Sequence, residues 1–280
     1  MAQGYSPVFC NSQQSYTKHR GLFTACNTLG SMDFLLSFSF FNWSLILLAS
    51  FIIGLSKAGL KGIDMLNVTL MAIVFGGKAS TGVLLPLLCV GDAMAVFFYN
   101  RHAQWKHFWK LMPWMIIGIL IGVYVGKDLD EVVFRRVMAV IIMLTIVVMV
   151  GLELKKTAVM PSNKTFVAGM GLASGFTTML GNLAGSFSNV YFLAMRLPKN
   201  RFIGTAAWVF LVINCFKLPF QVIYWKNINH KTMQLDLLLL PLLIFGFWVG
   251  LKIVSRIKDA YYRNVVFVLT LMGALLILFK

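Results

Sequence analysis

The chain has 280 residues, of which 59% are hydrophobic and only 12% are charged, and its mean hydropathy is +0.81. A typical soluble domain has about 25% charged residues, so this composition excludes an ordinary soluble domain and indicates a polytopic membrane protein. The net charge of +16 would suit a nucleic-acid partner. However, the basic residues lie in short loops between apolar runs, as orienting charges do in membrane proteins. We therefore expect the lipid bilayer as a partner and no nucleic acid.

Residues 1–34 form a polar N-terminal segment without the basic-then-apolar order of a signal peptide. Met32, directly before Asp33, looks like a natural start. A start at Met32 would make residues 1–31 an N-terminal extension. The sequence leaves open whether these residues are native.

Motifs for catalysis, metals and cofactors are missing from the sequence. The four cysteines, at positions 10, 26, 89 and 215, have no CxxC spacing and no nearby histidine pair, which predicts neither a metal site nor a disulfide framework. No catalytic triad spacing, zinc-protease motif or phosphate loop occurs. Ser56 and Lys57 are the candidate dyad of a membrane enzyme, but neighbours along the chain are poorly placed to act on each other. We expect no enzyme activity, no catalytic residue, no metal and no cofactor.

Ten apolar segments follow, and they predict an all-α fold. A membrane-spanning helix needs about 20 residues, and two segments, Ile63–Phe75 and Ser186–Met195, are too short. Each follows an interruption rich in small residues, at Gly54–Gly62 and at Gly175–Gly185. The ten segments are Leu35–Leu55, Ile63–Phe75, Thr81–Tyr99, Phe108–Val125, Val132–Leu152, Thr165–Leu180, Ser186–Met195, Phe202–Tyr224, Leu235–Val254 and Asn264–Phe279.

This pattern predicts two copies of one unit, each with a broken or re-entrant helix pair followed by three transmembrane helices. The first repeat is 35–152, a cytoplasmic linker is 153–164, and the second repeat is 165–280. One proline and two glycines of the first unit recur 128 positions later in the second, with Pro113, Gly118 and Gly122 matching Pro241, Gly246 and Gly250. An odd number of crossings in each unit makes the two repeats inverted. With the Arg101–Lys110 loop inside, 13 basic residues lie inside and nine outside, which favours this orientation.

Charged residues within the apolar segments indicate where the substrate binds. Lys57 and Lys61 lie at the first interruption, Lys217 lies later, and Asp92 is the carboxylate deep in an apolar segment. An excess of embedded cations points to an anionic substrate, and the N-termini of broken helices offer N–H groups to an anion. Snorkelling lysines and helix-capping side chains are the alternative. The predicted substrate-binding residues are Ser56, Lys57, Lys61, Asn67, Thr177, Thr178, Asn182, Ser186, Asn189 and Lys217.

Asp92 is the predicted coupling residue. Moving 124 positions along, the spacing between Ser80 and Gly204, leads from Asp92 to Phe216, next to Lys217, so we expect Asp92 and Lys217 to face each other. Two interpretations stay open. The two residues form a permanent structural ion pair, or the substrate anion competes for Lys217 and leaves Asp92 free to take up a proton.

At these residues the chain resembles the sulfite exporter TauE/SafE family. The resemblance runs from about Leu35 to the C-terminus. It is carried by the Gly204-Thr205 dipeptide and by two glycine-rich breaks, with Gly54, Gly59 and Gly62 in the first and Gly175, Gly181 and Gly185 in the second. It implies a permease of the bacterial inner (plasma) membrane that exports sulfite or organosulfonates.

The expected function is secondary transport, as an exporter, of small sulfur-containing anions such as sulfite or organosulfonates. The alternative is an anion channel, which would show higher and non-saturating conductance, or a permease for another small organic anion. The expected partners are that anion and the bilayer. The sequence leaves open proton coupling, the direction of transport and whether the chain forms a homodimer.

Overall fold

The computed structural model describes residues 38–278, apart from 131, 135, 138–139, 142, 145–146 and 148–162 and the side chains of 271 and 273–278. Every regular element within these residues is a helix, which confirms the predicted all-α fold. Helical residues also lie between 132 and 147. The helices with described bounds are α1 (Phe40–Lys57), α2 (Asp64–Phe75), α3 (Gly77–Tyr99), α4 (Trp105–Lys127), α5 (Lys164–Gly181), α6 (Ala184–Ala194), α7 (Lys199–Pro219), α8 (His230–Arg256) and α9 (Asp259–Leu278).

In the part of the chain that the structure describes, five helices are long and apolar enough to cross a membrane: α1, α3, α4, α7 and α8. A 3-10 turn at Asn100–His102 extends α3, and a π-helical turn at Phe220–Tyr224 extends α7. By contrast, α2 has 12 residues and α6 has 11, which gives lengths of about 18 and 16 Å. Neither reaches across a hydrocarbon core of about 30 Å. The chain is therefore a multi-pass membrane protein with two short helices among its spans.

The first break, between α1 and α2, depends on glycine. Gly59 has φ 125° and Gly62 has φ 104°, a left-handed region that is costly for residues with a Cβ. A Cβ on Gly62 would also lie 2.6 Å from the backbone nitrogen of Thr270 in α9. Gly54, which the sequence placed at the start of the interruption, lies within α1, because the helix continues to Lys57.

The second break, between α5 and α6, is narrower than the sequence predicted. Gly175 and Gly181 belong to α5, and Gly185 belongs to α6. The chain turns at Asn182, which has φ 55° and whose N–H donates to the carbonyl of Thr178 at 3.0 Å. Asparagine tolerates this left-handed conformation better than most residues, so it ends α5 in the place of a glycine.

Glycines allow α4 to pack closely against α5 and α8 against α1. A Cβ on Gly118 would collide with the backbone of Leu172 and Phe176, and a Cβ on Gly246 would collide with the backbone of Phe51. Gly118 and Gly246 are 128 positions apart, and Phe51 and Leu172 are 121 positions apart. The same helix contact therefore occurs twice. Each time it joins the first helix of one predicted repeat to the fourth helix of the other.

A second pair of contacts follows the same spacings. Gly122 faces Met179, and Gly250 faces Ala58, again 128 and 121 positions apart. In terms of the two predicted repeats, the first helix of each packs against the fourth helix of the other. The division into two repeats, their inversion and the inside position of the Arg101–Lys110 loop stay predictions.

The spacing between α3 and α7 differs from the predicted value of 124. A Cβ on Gly82 in α3 would collide with Asn227, just after α7. A Cβ on Gly204 in α7 would meet Tyr99, His102 and Ala103, at and just after the end of α3. Gly82 and Gly204 are therefore the matching positions, and they are 122 apart. This shift of two residues changes which side chains face each other in the site.

The predicted domain boundaries fall partly on residues that are not described. The N-terminal segment 1–34 lies outside the described residues, as does the linker 153–164 except for Asn163 and Lys164. Asn163 is the N-cap of α5, because its side chain accepts a hydrogen bond from the N–H of Thr165 at 2.8 Å. The second predicted repeat therefore begins with a capped helix.

Candidate functional site

Lys57, in the last turn of α1, forms a buried ion pair with Asp92 in α3. The Nζ atom of Lys57 lies 2.7 Å from the Oδ1 atom of Asp92, and their side chains are 5% and 0% exposed. Gly91 makes this approach possible, because a Cβ there would lie 2.8 Å from the Cγ atom of Lys57. The pair is thus built from a helix end at the first break and a glycine-aspartate step in α3.

The prediction that Asp92 faces Lys217 directly is wrong. At the observed spacing of 122, the residue that matches Asp92 is Asn214 rather than Phe216. The Nδ2 atom of Asn214 donates to the Oδ2 atom of Asp92 at 2.7 Å, and its Oδ1 atom accepts from Lys217 at 3.1 Å. Asn214 therefore stands between the carboxylate and this lysine.

Lys217 is fully buried, and neutral oxygens accept all of its hydrogen bonds. Besides Asn214, the acceptors are Thr178 at 3.0 Å and Asn182 at 2.6 Å. An ammonium group has three donors, so these three acceptors satisfy it. Thr178 and Asn182 flank the second break. Lys217 therefore joins α7 to the second break, as Lys57 at the first break is joined to α3 through Asp92.

Lys61 differs from the other two buried lysines. It is 0% exposed, and its ammonium has no hydrogen-bond partner among the described residues. It lies 5.2 Å from the centre of the Phe210 ring, and Lys57 lies 5.3 Å from the same ring. A cation–π contact offsets only part of the cost of burying a charge. The amino group of Lys61 is therefore enclosed in the helix bundle without a hydrogen-bond acceptor among the described residues.

Several polar side chains at the two breaks also lack hydrogen-bond partners among the described residues. Buried polar groups in native proteins are nearly always hydrogen-bonded, and a local group of exceptions calls for an explanation such as an absent ligand. Asn67 near the start of α2 and Asn189 in α6 are each 1% exposed. The enclosed atoms without a partner at the two breaks are Lys61 Nζ, Asp64 Oδ2, Asn67 Nδ2 and Oδ1, Ser186 Oγ, and Asn189 Nδ2 and Oδ1.

The two breaks meet at small cavities. One cavity of about 20 Å³ is lined from both sides, by Lys57, Asp64 and Asn67 and by Thr178, Asn182 and Gly185. Another, of about 10 Å³, lies among Gly62, Asp64, Ser186, Asn189 and Thr270. Volumes of this size hold about one water molecule. An anion larger than water therefore enters only if the broken helix ends move apart.

Both short helices begin at these cavities. Neither α2 nor α6 has a side-chain N-cap hydrogen bond. Free N–H groups and the positive end of the helix dipole at such an N-terminus attract an anion. The ammonium of Lys57 and the unpaired amides of Asn67 and Asn189 border the cavities. Lys217 and Lys61 do not line them, but Lys217 donates to three of the lining residues and Lys61 lies over the ring of a fourth, Phe210. Positive groups and two helix N-termini around small cavities suit an oxyanion.

The structure brings most of the predicted binding residues together. Ser56 donates to the carboxylate of Asp64. Thr177 instead donates to the carbonyls of Ser174 and Leu183, so it ends α5 and leaves no hydroxyl proton for a ligand. The predicted residues that line the cavities are Lys57, Asn67, Thr178, Asn182, Ser186 and Asn189.

The sequence interpretation missed three residues of this site. Asp64 opens α2 directly after the glycine break, but an aspartate in the first turn of a helix is common, so its position gives only a weak signal. Asn214 lies three residues before Lys217, about one helical turn, a spacing that places both on one face. Phe210 gives no signal, because one more phenylalanine in an apolar helix is typical of a core position.

Residues 23–277 match the model of the family described as sulfite exporter TauE/SafE. No curated protein and no solved structure matches the chain.

Proposed function

Because the chain belongs to the sulfite exporter TauE/SafE family, we propose that it is a secondary transporter that exports sulfite or organosulfonates across the bacterial inner membrane. The anionic head of the substrate binds between the two breaks. The family is one of transporters rather than enzymes, and the long apolar helices are those of a multi-pass membrane protein.

The observation that carries this proposal is the buried, unpaired ammonium of Lys61. Across the site there are three enclosed ammonium groups, of Lys57, Lys61 and Lys217, and two carboxylates, of Asp64 and Asp92. With all five groups ionised the site carries one net positive charge, which is costly in a low-dielectric interior until an anion enters. The unpaired amides of Asn67 and Asn189 supply hydrogen-bond donors to the same anion.

The small volume of the cavities favours a carrier over an open channel. A cavity with room for about one water molecule does not conduct anions unless the breaks separate. A carrier that opens the breaks to one side and then to the other predicts saturable flux, whereas a channel predicts flux that keeps rising with concentration.

Flux measurements in proteoliposomes test the site. Lys61→Gln removes the unpaired charge, and we expect it to reduce the uptake of sulfite and of methanesulfonate at least about tenfold, as loss of a charged hydrogen bond does. Lys252→Gln is the matched control, because Lys252 in α8 is exposed. Equal flux in Lys61→Gln and wild type would show that Lys61 does not bind the substrate.

Asp92 is the group we propose for proton coupling, with Lys57 as its partner. An anion that approaches Lys57 weakens the ion pair, and the carboxylate, left with only Asn214, then takes up a proton. Asp92→Asn should therefore transport at a rate that no longer depends on pH. Asp128→Asn is the control, because Asp128, just after α4, is exposed and lines neither cavity. A wild-type pH profile in Asp92→Asn would exclude the coupling role.

The direction of transport, the membrane in which the protein resides and its oligomeric state are tested by separate measurements. Export predicts efflux of preloaded sulfite from intact cells that express the protein, and residence in the plasma membrane predicts its recovery in that membrane fraction. The homodimer left open by the sequence is tested by the mass of the purified protein in detergent.

A further inference from the structure

Asp64 has one carboxylate oxygen in use and one without a partner. The Oδ1 atom accepts from the hydroxyl of Ser56, which is itself fully buried. The Oδ2 atom is enclosed and has no hydrogen-bond partner in the part of the chain that the structure describes. The side chain is thus held in place through one oxygen and presents the other to the cavity.

Gly185 keeps the space in front of this oxygen open. A Cβ on Gly185 would lie 3.1 Å from the Oδ2 atom of Asp64 and 3.0 Å from the Nδ2 atom of Asn189. The carboxylate oxygen and the amide therefore both border the bare Cα of Gly185. Ser186, whose hydroxyl also lacks a partner, lines the same cavity. Unpaired acceptors and unpaired donors thus share one small space.

A ligand with acceptors only would not satisfy this arrangement. A fully ionised oxyanion satisfies the ammonium of Lys61 and the amides, but its oxygens repel the free oxygen of Asp64. Like charges that face each other in a low-dielectric site cost far more than in water. A hydrogen-bond donor on the ligand removes the conflict, because it pairs with Oδ2.

The charge of the site limits the charge of the ligand. With all three lysines and both aspartates ionised, a ligand with one negative charge brings the site to neutrality, whereas a dianion such as sulfate leaves an uncompensated negative charge beside Asp64. The charge of the site therefore favours a singly charged ligand, and the free oxygen of Asp64 favours a ligand with a hydrogen-bond donor.

We propose that the site selects a singly charged oxyanion that also carries a hydrogen-bond donor, such as a hydroxyl group, and that Asp64 is the residue that enforces this choice. The oxygens of the ligand face Lys61 and the amides of Asn67 and Asn189, and its donor faces Asp64. The inference deepens the proposed function, because sulfite then binds as hydrogensulfite, which has one charge and one hydroxyl group, and it rests on binding between the two breaks.

Three probe anions test the selection by calorimetry on the purified protein in detergent. Hydroxymethanesulfonate has one charge and a donor, methanesulfonate has one charge and no donor, and sulfate has two charges and no donor. Wild type should bind hydroxymethanesulfonate at least about tenfold more tightly than methanesulfonate, because an unpaired buried acceptor strongly rejects the ligand that lacks its donor. It should not bind sulfate measurably.

Asp64→Asn should reverse both preferences. The amide still accepts from Ser56, but it turns a donor toward the cavity and raises the net charge of the site by one. We expect the preference for the hydroxyl group to fall to about one and sulfate to bind. Asp236→Asn, another buried carboxylate outside the site, should keep the wild-type order of affinities.

The outcomes separate this inference from the proposed function. If wild type binds none of the three probes and transports no sulfonate, the proposed function fails. If wild type binds methanesulfonate as tightly as hydroxymethanesulfonate, a water molecule satisfies Asp64 and the inference fails, while the function stands. The inference also fails if Asp64→Asn still binds hydroxymethanesulfonate more tightly than methanesulfonate. If Asp64→Asn does not fold, the wild-type comparison decides alone.

Discussion

Removing Lys57 should destabilise the protein far more than removing both members of its ion pair. In Lys57→Met the side chain keeps a similar length, but Asp92 retains only its 2.7 Å bond from Asn214. Its Oδ1 atom, 0% exposed, then has no partner for its charge. Breaking a buried pair from one side costs about 3–5 kcal/mol. Because one hydrogen bond remains, we expect about 3 kcal/mol.

The double variant Lys57→Met/Asp92→Asn leaves no unpaired charge, and the new amide oxygen can still accept from Asn214. Replacing a buried pair by uncharged groups is often neutral, so the double variant should lie within about 1 kcal/mol of wild type. The free energy of unfolding of wild type, both single variants and the double variant, measured with denaturant in micelles, gives the coupling energy. We expect at least about 2 kcal/mol. Additive effects would refute the pairing of Lys57 with Asp92.

Three further predictions concern packing, charge and capping. Gly246→Ala should lower the melting temperature, because its Cβ collides with the backbone of α1, whereas Gly169→Ala, with nothing within 4 Å of its Cβ, should not; equal melting temperatures would contradict the close contact. Asn182→Asp places a carboxylate 2.6 Å from Lys217 and so lowers the positive charge available to an anion. Calorimetry should show sulfonate binding weakened at least about tenfold, or ~1.4 kcal/mol; unchanged affinity would show that the net charge of the site does not govern binding. Asn229→Ala removes the capping box of α8 and should cost about 1 kcal/mol of unfolding free energy; a loss near zero would mean that solvent replaces the cap.

Much of the fold was predictable because segment length and glycine placement are local signals. The short segments became α2 and α6, since too few apolar residues separate the interruptions for a full span. The matching glycines of α4 and α8 could also be predicted, because they recur at a constant spacing in the sequence. The helices that they contact, α5 and α1, could not be predicted, because the sequence does not show which distant helices pack together.

The site was predictable in residue type and only partly in pairing. Buried lysines and amides near two breaks indicated an anion from the sequence alone. The partner of Asp92 was not predictable, since an error of two positions in the spacing of α3 and α7 exchanged Asn214 for Phe216. Asp64 was missed because an aspartate in the first turn of a helix is common at N-termini, where it stabilises the helix dipole. Only its enclosed, unpaired oxygen distinguishes it.

The ribosome makes α1 long before it makes α8, the helix against which α1 packs. Ser50 in α1 donates to the carbonyl of Leu239 in α8, 189 positions later. At about 5–20 residues per second, α1 waits roughly 10–40 s after synthesis for this partner. During that time the face of α1 around Gly54, which packs against the backbone of α8 in the folded protein, and the ammonium of Lys57 are in contact with lipid or with the insertion machinery. An N-terminal half released alone therefore exposes the surface that α8 normally covers, which makes it a substrate for membrane quality control, whereas co-expressed halves can complete each other.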